Sequence, residues 1–443
     1  MDPLLIAVIV AVFTLIVLFS GIPIAFGLCF VSIALLVAFE GLQMLDVFAE
    51  TFYAGLNSFV LLSIPMFILM GMAVANSPAG KDLYTGLDRW LWRLPGGLVI
   101  SNIGACSIFA ALSGSSPATC AAIGTMGIPE MRKRGYSDQI ATGTIAAGGT
   151  LGVLIPPSIV LIVYGIATGT SIGRLFLCGL IPGFMLAGMF AIWALIHSYF
   201  IDKESAKALK NRTPPTLKEK LEVLPRILPF LAIIAGVLYV LYGGVATPSE
   251  ASGVGAFLVF VLIAVVYKIY QPKKIWNIVK VSMKESVMIM FIIAASYLFA
   301  FTLSQLYVTQ SLAQSMVELS SNKWVVFILI NIFLLIAGFF LPPVAVIVMT
   351  SAILLPVITT LGFDPYWFAI VFTINMEIGL ITPPVGLNLY IIKGITPDVS
   401  LSEILKGSIP FMIIMALAIL ILCIFPEIVT WLPDKIMGKD LGY

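Results

Sequence analysis

Long apolar segments separated by short polar loops make up most of the chain. A helix needs about 20 apolar residues to cross a membrane, where every backbone group must find its hydrogen bond within the protein. Segments of roughly that length or longer recur throughout the sequence, at about 4–19, 21–39, 55–75, 96–127, 138–170, 172–200, 224–243, 248–268, 286–305, 324–357, 367–393 and 403–432. The pattern predicts an all-α polytopic membrane protein. The only long polar stretch, residues 202–222, divides the chain almost in half and is predicted to be a linker.

Composition agrees with this prediction and excludes several functions. Of the 443 residues, 60% are hydrophobic and 10% are charged, whereas soluble domains carry about 25% charged residues. The net charge of +2 is small and scattered, so no nucleic-acid partner is expected. The sequence has a single histidine and neither a GxxxxGK[ST] nor an HExxH motif. We therefore expect neither ATP hydrolysis by this chain nor an enzyme activity.

Prolines and glycines in the first half recur in the second half at a nearly constant spacing of 227 or 228 residues. The matching positions are Pro129, Pro156, Pro157 and Pro182 with Pro356, Pro383, Pro384 and Pro410, and Gly135, Gly152 and Gly179 with Gly362, Gly379 and Gly407. Such self-similarity at a fixed offset predicts an internal duplication. The two repeats are assigned to residues 1–200 and 224–443, and residues 201–223 form the linker between them.

The distribution of lysine and arginine predicts the orientation of these repeats. Suppose that segments 96–127 and 324–357 are re-entrant hairpins; each repeat then crosses the membrane five times, and the second repeat is inverted. With a periplasmic N-terminus, the cytoplasmic loops hold 20 of the 24 Lys and Arg residues, and the other side holds only Arg174, Lys323, Lys435 and Lys439. This positive-inside bias predicts an inner-membrane protein with a cytoplasmic linker and both termini in the periplasm.

Each predicted hairpin turns at a stretch that is unusual at membrane depth. The first turn, Ser113–Thr119, is rich in small and hydroxyl residues, which suits a cation site built from hydroxyls and freed carbonyls or, alternatively, close helix packing. The second turn, Gly338–Pro343, lacks hydroxyls. It is interpreted either as an ion site made of backbone carbonyls or as a plain proline kink.

The span after each hairpin contains glycines and a proline pair at its centre. These stretches are Gly148–Pro157 and Glu377–Pro384. Because proline lacks an N–H group and clashes with the preceding turn, both helices should break there. Paired breaks in corresponding halves are typical of a transport site, with carbonyl ends facing a cation and N-terminal ends facing an anion. Glu377 is either a functional carboxylate or a buried structural one.

At these residues the chain resembles the large membrane subunit of tripartite ATP-independent periplasmic (TRAP) transporters. The resemblance rests on Gly21–Gly27, Ser63–Phe67, Ser113–Thr119, Gly127–Tyr136, Gly149–Ser158 and Gly379–Asn388, which are spread over nearly the whole chain. It implies an elevator-type, sodium-driven importer that works with a periplasmic substrate-binding protein and a separate small membrane subunit of four helices. The sequence as a whole resembles a sialic-acid system more than others. The motifs do not distinguish sialic acid from C4-dicarboxylates or other organic acids.

This interpretation divides the predicted helices into a scaffold and a transport domain. Scaffold helices are expected at residues 1–75 and 224–305, in contact with membrane lipid. The hairpins and broken helices, at residues 96–170 and 324–393, are expected to form the moving transport domain.

Specific residues are assigned to three predicted binding positions. Sodium at the first hairpin would be bound by Ser113 and Ser115 with the backbone of Gly152, Ile155 and Pro157. Sodium at the second would be bound by Phe340, Pro342, Gly379, Thr382 and Pro384. An organic-acid substrate would lie between them, near Ser116, Thr119, Thr150, Glu377 and Asn388.

Three other functions are weighed against this one. A stand-alone sodium/carboxylate symporter would need no binding protein. An intramembrane enzyme should show clustered catalytic residues at depth, and the sequence offers only scattered ones. A channel fits poorly, because two closed inverted hairpins suit alternating access better than a continuous pore.

Overall fold

The computed structural model describes residues 3–92, 97–197, 214–318 and 322–439, and within these ranges the protein consists of helices, turns and loops without a β-strand. The helices are α1 (Pro3–Phe19), α2 (Ile24–Glu40), α3 (Leu45–Ala54), α4 (Ser63–Ala75), α5 (Ala79–Trp90), α6 (Gly97–Ser113), α7 (Ser116–Lys133), α8 (Asp138–Leu154), α9 (Ile159–Thr168), α10 (Ile172–Ile196), α11 (Leu217–Tyr242), α12 (Pro248–Tyr267), α13 (Pro272–Gln305), α14 (Val308–Glu318), α15 (Lys323–Phe340), α16 (Pro343–Thr360), α17 (Pro365–Leu380), α18 (Leu387–Ile395), α19 (Leu401–Ile424) and α20 (Glu427–Met437). The predicted all-α class is confirmed.

Side-chain caps explain why many of these helices begin where they do. A Ser, Thr, Asn or Asp just before the first turn accepts hydrogen bonds from backbone N–H groups that have no partner inside the helix. Ser137 caps α8 and Asp364 caps α17 in this way. Thr247 and Glu250 form a reciprocal capping box at α12, and Ser400 and Glu403 form one at α19. The polar residues between apolar segments therefore fix the helix boundaries.

Eight helical segments in the described part of the chain are long and apolar enough to cross a membrane, and a bent pair, Leu42–Ala54 with Phe59–Ala75, adds a ninth. Helices α1 and α2 have 17 residues each and fall just below that length. Most of the predicted linker, residues 201–213, lies outside the described ranges, and α11 begins within its last part. The repeat boundaries and the number of crossings stay predictions.

The element order repeats as the sequence predicted. A two-helix hairpin is followed by a broken span and then by a long helix, first as α6–α7, α8–α9 and α10, and again as α15–α16, α17–α18 and α19. The breaks fall at residues 155–158 and 381–386, which contain the two proline pairs. Both predicted breaks are confirmed.

The two repeats are interlocked through a close helix crossing. A Cβ atom placed on Gly143 of α8 would lie 2.1 Å from the carbonyl oxygen of Gly407 of α19, and one placed on Gly407 would lie 2.0 Å from the carbonyl oxygen of Gln139. Such distances are far below van der Waals contact, so only glycine lets the backbones approach this closely. The broken span of the first repeat and the long helix of the second repeat are therefore packed together as one unit.

Candidate ion and solute site

The tip of the first hairpin lies on the break of the following span. Helix α6 ends at Ser113, and Gly114 has φ +58°, a left-handed conformation that glycine adopts without strain. The hydroxyl of Ser115 then caps α7 by accepting a hydrogen bond from the N–H of Ala118 at 3.5 Å. A Cβ atom on Gly114 would lie 2.8 Å from the carbonyl oxygen of Pro157. The turn is thus seated against the interior of a span, as a re-entrant hairpin requires.

A compact group of oxygen atoms is brought together at this tip. The Thr119 hydroxyl donates to the Ser115 carbonyl at 2.8 Å and shares a 2.9 Å hydrogen bond with the Ser113 hydroxyl. Gly152 packs so closely here that a Cβ atom on it would lie 2.8 Å from the Ser115 carbonyl oxygen. The structure therefore joins Ser113, Ser115, Gly152 and Pro157 as the sequence predicted. Thr119, assigned to the substrate, lies in this group instead.

Ile155, the fifth residue of that predicted set, directs its side chain away from the tip. Its Cγ1 atom lies 2.8 Å from the position that a Cβ atom on Gly183 of α10 would occupy. The side chain of Ile155 therefore packs on α10.

The second hairpin meets the second break in a corresponding way. The N–H of Val385 donates to the carbonyl of Phe339 at 3.2 Å. A Cβ atom on Gly379 would lie 2.5 Å from the carbonyl oxygen of Gly338, and the Thr382 hydroxyl donates to the carbonyl of Ile378 at 2.6 Å. The predicted residues Phe340 and Pro342 lie at the tip, and Pro384 lies in the break.

Each arm of the second hairpin has 18 residues, so helix length alone does not separate a re-entrant hairpin from two spans. The contact of its tip with the break of α17–α18 favours the re-entrant form, because the break lies in the interior of a span and not at its end. The same reasoning applies to the first hairpin.

A third polar cluster joins the two repeats. The side-chain amide of Asn388, on α18, donates to the Ser116 hydroxyl on α7 at 2.8 Å and to the carbonyl of Ala146 on α8 at 3.2 Å. The Glu377 carboxyl of α17 lies beside Ser116. All three side chains are buried. Three of the five predicted substrate residues therefore come together in one buried cluster.

Thr150 is separate from that cluster. Its hydroxyl donates to the Ala147 carbonyl of its own helix at 2.6 Å and lies 3.9 Å from the sulfur of Met415 on α19. The predicted substrate set is thus divided between three places in the structure.

A cavity of about 370 Å³ lies between predicted scaffold helices and predicted transport elements. Its walls come from α3, α9, α13 and α16, and its polar lining is made of hydroxyl groups from Thr51, Ser296, Tyr297, Ser304 and Ser351. Sequence reasoning missed this cavity. A signal was present, since Ser296 and Ser304 are eight residues apart and therefore lie on one face of the largely apolar C-terminal half of α13.

Charged residues hold the base of the first hairpin at the end opposite its tip. Arg132 forms an ion pair with Asp138 at 2.6 Å and another with Asp398, in the loop between α18 and α19. The hydrogen bond from the Arg132 guanidinium holds the pKa of the Asp398 carboxyl below its usual value. The base of one hairpin is thereby tied to the broken helix of the other repeat.

With this geometry established, comparison with known proteins identifies the family. A family model described as "Tripartite ATP-independent periplasmic transporter, DctM component" matches residues 9–428. The chain belongs to this family. A C4-dicarboxylate TRAP transporter large permease protein of Vibrio cholerae is 34% identical over 441 residues, which covers 95% of this chain and 96% of the relative. The predicted family is confirmed.

Two further comparisons describe the breadth of this similarity. A sialic acid TRAP transporter large permease protein of Vibrio cholerae is 29% identical and covers 95% of this chain and 97% of its own length. The solved structure of the Alcanivorax borkumensis YdaH transporter, which has an unusual topology, superposes with a TM-score of 0.64 at 12% identity and covers 91% of both chains. The family and its fold are those of membrane transport permeases, so this chain is a multi-pass permease subunit of the inner membrane.

Proposed function

We propose that this TRAP permease imports a small organic acid by coupling its movement to sodium. The observation that carries the proposal is the seating of each hairpin tip on the break of the next span. These two contacts place hydroxyl and carbonyl oxygens of the first tip, and carbonyl oxygens of the second, beside interrupted helices. Hard oxygen ligands of this kind suit sodium.

The substrate is proposed to be a carboxylic acid of the C4-dicarboxylate or sialic acid type. Relatives named for both classes match nearly the whole chain. The hydroxyl-lined cavity of about 370 Å³ is proposed as the place where the solute contacts both scaffold and transport elements. Its polar groups are uncharged, so they suit the hydroxyl or carbonyl groups of such an acid.

The movement is proposed to be of the elevator type. The Gly143–Gly407 crossing joins the first broken span to α19, and the cavity lies between the transport elements α9 and α16 and the scaffold helices α3 and α13. The proposed partners are a periplasmic binding protein that delivers the solute and a small membrane subunit, with the polar linker on the cytoplasmic side and both termini in the periplasm.

Uptake into proteoliposomes tests this function. The permease is reconstituted with the candidate small subunit, and radiolabelled C4-dicarboxylate or sialic acid is supplied with and without the binding protein. We expect uptake driven by an inward sodium gradient, abolished in choline, and unaffected by ATP. Uptake that is equally fast in choline would refute sodium coupling. Sodium-driven uptake without binding protein would instead identify a stand-alone symporter.

A further inference from the structure

Glu377 is a buried carboxyl group without a partner. It is 1% exposed, and among the described residues neither of its carboxylate oxygens accepts a hydrogen bond. An ionised carboxylate at membrane depth is costly unless a cation or several donors compensate it. The side-chain oxygen of Asn388 is also buried and lacks a hydrogen-bond partner. Two kinds of hard oxygen acceptor are thus left unsatisfied in one region.

Ser116 connects these two groups. Its hydroxyl oxygen accepts a hydrogen bond from Asn388 at 2.8 Å, and it lies beside the Glu377 carboxyl. The Asn388 amide group is itself fixed by its second donation, to the carbonyl of Ala146. Four helices, α7, α8, α17 and α18, therefore hold this cluster, and it contains residues of both repeats.

The chemistry of the cluster limits what it can bind. The described residues hold no group of three or more His, Cys, Asp or Glu side chains that could bind a metal ion. One carboxylate with amide and hydroxyl oxygens is a hard donor set that suits an alkali cation. A substrate carboxylate would be repelled by Glu377 unless that charge were first neutralised. Cys120, a titratable residue that interacts electrostatically with Glu377, donates its thiol to the carbonyl of Ile145 and supplies no positive charge.

We propose that Glu377, Asn388 and Ser116 form a third cation site, beside the two hairpin-tip sites, in which sodium binds and neutralises the Glu377 carboxylate. The inference rests on the proposed function, since it adds one ion to the same sodium-coupled cycle. It changes the predicted role of Glu377 and Asn388 from contacting the solute to holding a cation.

Sodium binding to the purified, detergent-solubilised permease tests this site without any transport step. Equilibrium binding of ²²Na⁺ and thermal melting are measured over a range of sodium concentrations, with choline chloride keeping the ionic strength constant. The variant Glu377→Gln keeps the shape of the side chain and removes its charge. Glu285→Gln, on α13 and outside the cluster, is the matched control for the same chemical change.

We expect Glu377→Gln to bind about one sodium ion fewer than wild type, or to need at least about tenfold more sodium, as the loss of a charged partner implies. In sodium-free choline this variant should melt at a higher temperature than wild type, because it no longer buries an unpaired carboxylate. Addition of sodium should remove this difference in melting temperature. Asn388→Ala should weaken sodium binding less, and Glu285→Gln should match wild type.

Specific outcomes separate the possible failures. One alternative is that the N-terminal ends of α7 and α18 stabilise the carboxylate without a cation. Glu377→Gln would then bind as much sodium as wild type, and that result would refute the third site. A stability difference that follows pH and ignores sodium would assign a proton to Glu377 and equally refute the proposal. Wild-type protein that binds no sodium at all would refute the proposed function itself.

Discussion

Replacing Ser113 by alanine should weaken sodium binding without unfolding the first hairpin. The Ser113 hydroxyl makes a 2.9 Å hydrogen bond to the Thr119 hydroxyl and lies 3.3 Å from the Ser115 carbonyl oxygen. Without it, the Thr119 hydroxyl still donates to the same carbonyl at 2.8 Å. The Ser113 hydroxyl also accepts a long hydrogen bond from the Ser115 N–H at 3.4 Å, so the folding cost should be mainly that of the one short side-chain hydrogen bond, about 1 kcal/mol. Loss of one hard oxygen ligand should cost about 1–3 kcal/mol in sodium binding, or about 5- to 150-fold in affinity.

Ser158→Ala is the matched control for this substitution. The Ser158 hydroxyl caps α9 by accepting a hydrogen bond from the N–H of Leu161 at 3.3 Å, so its removal should cost about 1 kcal/mol of stability. It should leave the dependence on sodium unchanged. Ser115→Ala is a poorer probe, because that hydroxyl also caps α7 and its removal would combine both effects.

The assay is the initial rate of uptake against sodium concentration, together with a thermal melt of each purified protein. Ser113→Ala should need at least about fivefold more sodium for half-maximal uptake, while its melting temperature falls no further than that of Ser158→Ala. If both variants reach half-maximal uptake at the same sodium concentration, the Ser113 hydroxyl is not part of the ion site. The small residues of the first tip would then serve helix packing only.

Two further predictions concern packing and orientation. Gly143→Ala should destabilise the permease by about 1–3 kcal/mol through overpacking. Thermal melting compares it with Gly188→Ala, whose added Cβ atom meets nothing within 4 Å. Equal melting temperatures of the two variants would contradict the close crossing. A membrane-impermeant maleimide should label Lys393→Cys only from the cytoplasmic side and Lys435→Cys only from the periplasmic side. Labelling of both variants from the same side would overturn the predicted topology.

Local sequence features were sufficient to predict the hairpin turns and the breaks, because each depends on residues close together in the chain. Proline pairs end a helix whatever surrounds them, and Ser113–Thr119 is too polar to lie in lipid. The division of the predicted substrate residues had no such local cause. Thr150 belongs to the first broken span, like Gly152, yet helix rotation turns it towards α19.

Long-range contacts account for the rest of what sequence reasoning missed. The hydrogen bond between Asn388 and Ser116 joins residues that are 272 positions apart, and nothing in either neighbourhood specifies the other. The cavity likewise needs walls from four helices, of which α3 and α13 carry no proline or glycine motif. Such features depend on how complete helices pack, which a fixed offset between repeats does not reveal.

The Gly143–Gly407 crossing bears on the number of ions moved in each cycle. If the two hairpin-tip ion sites were on separate bodies, one could cross the membrane loaded while the other stayed behind empty, and the gradient would be dissipated without solute. Because backbone touches backbone at this crossing, the first broken span cannot slide past α19 without breaking the contact. In the proposed cycle the first ion site and the helix that follows the second ion site therefore move together, and the absence of two side chains favours a fixed ratio of ions to solute.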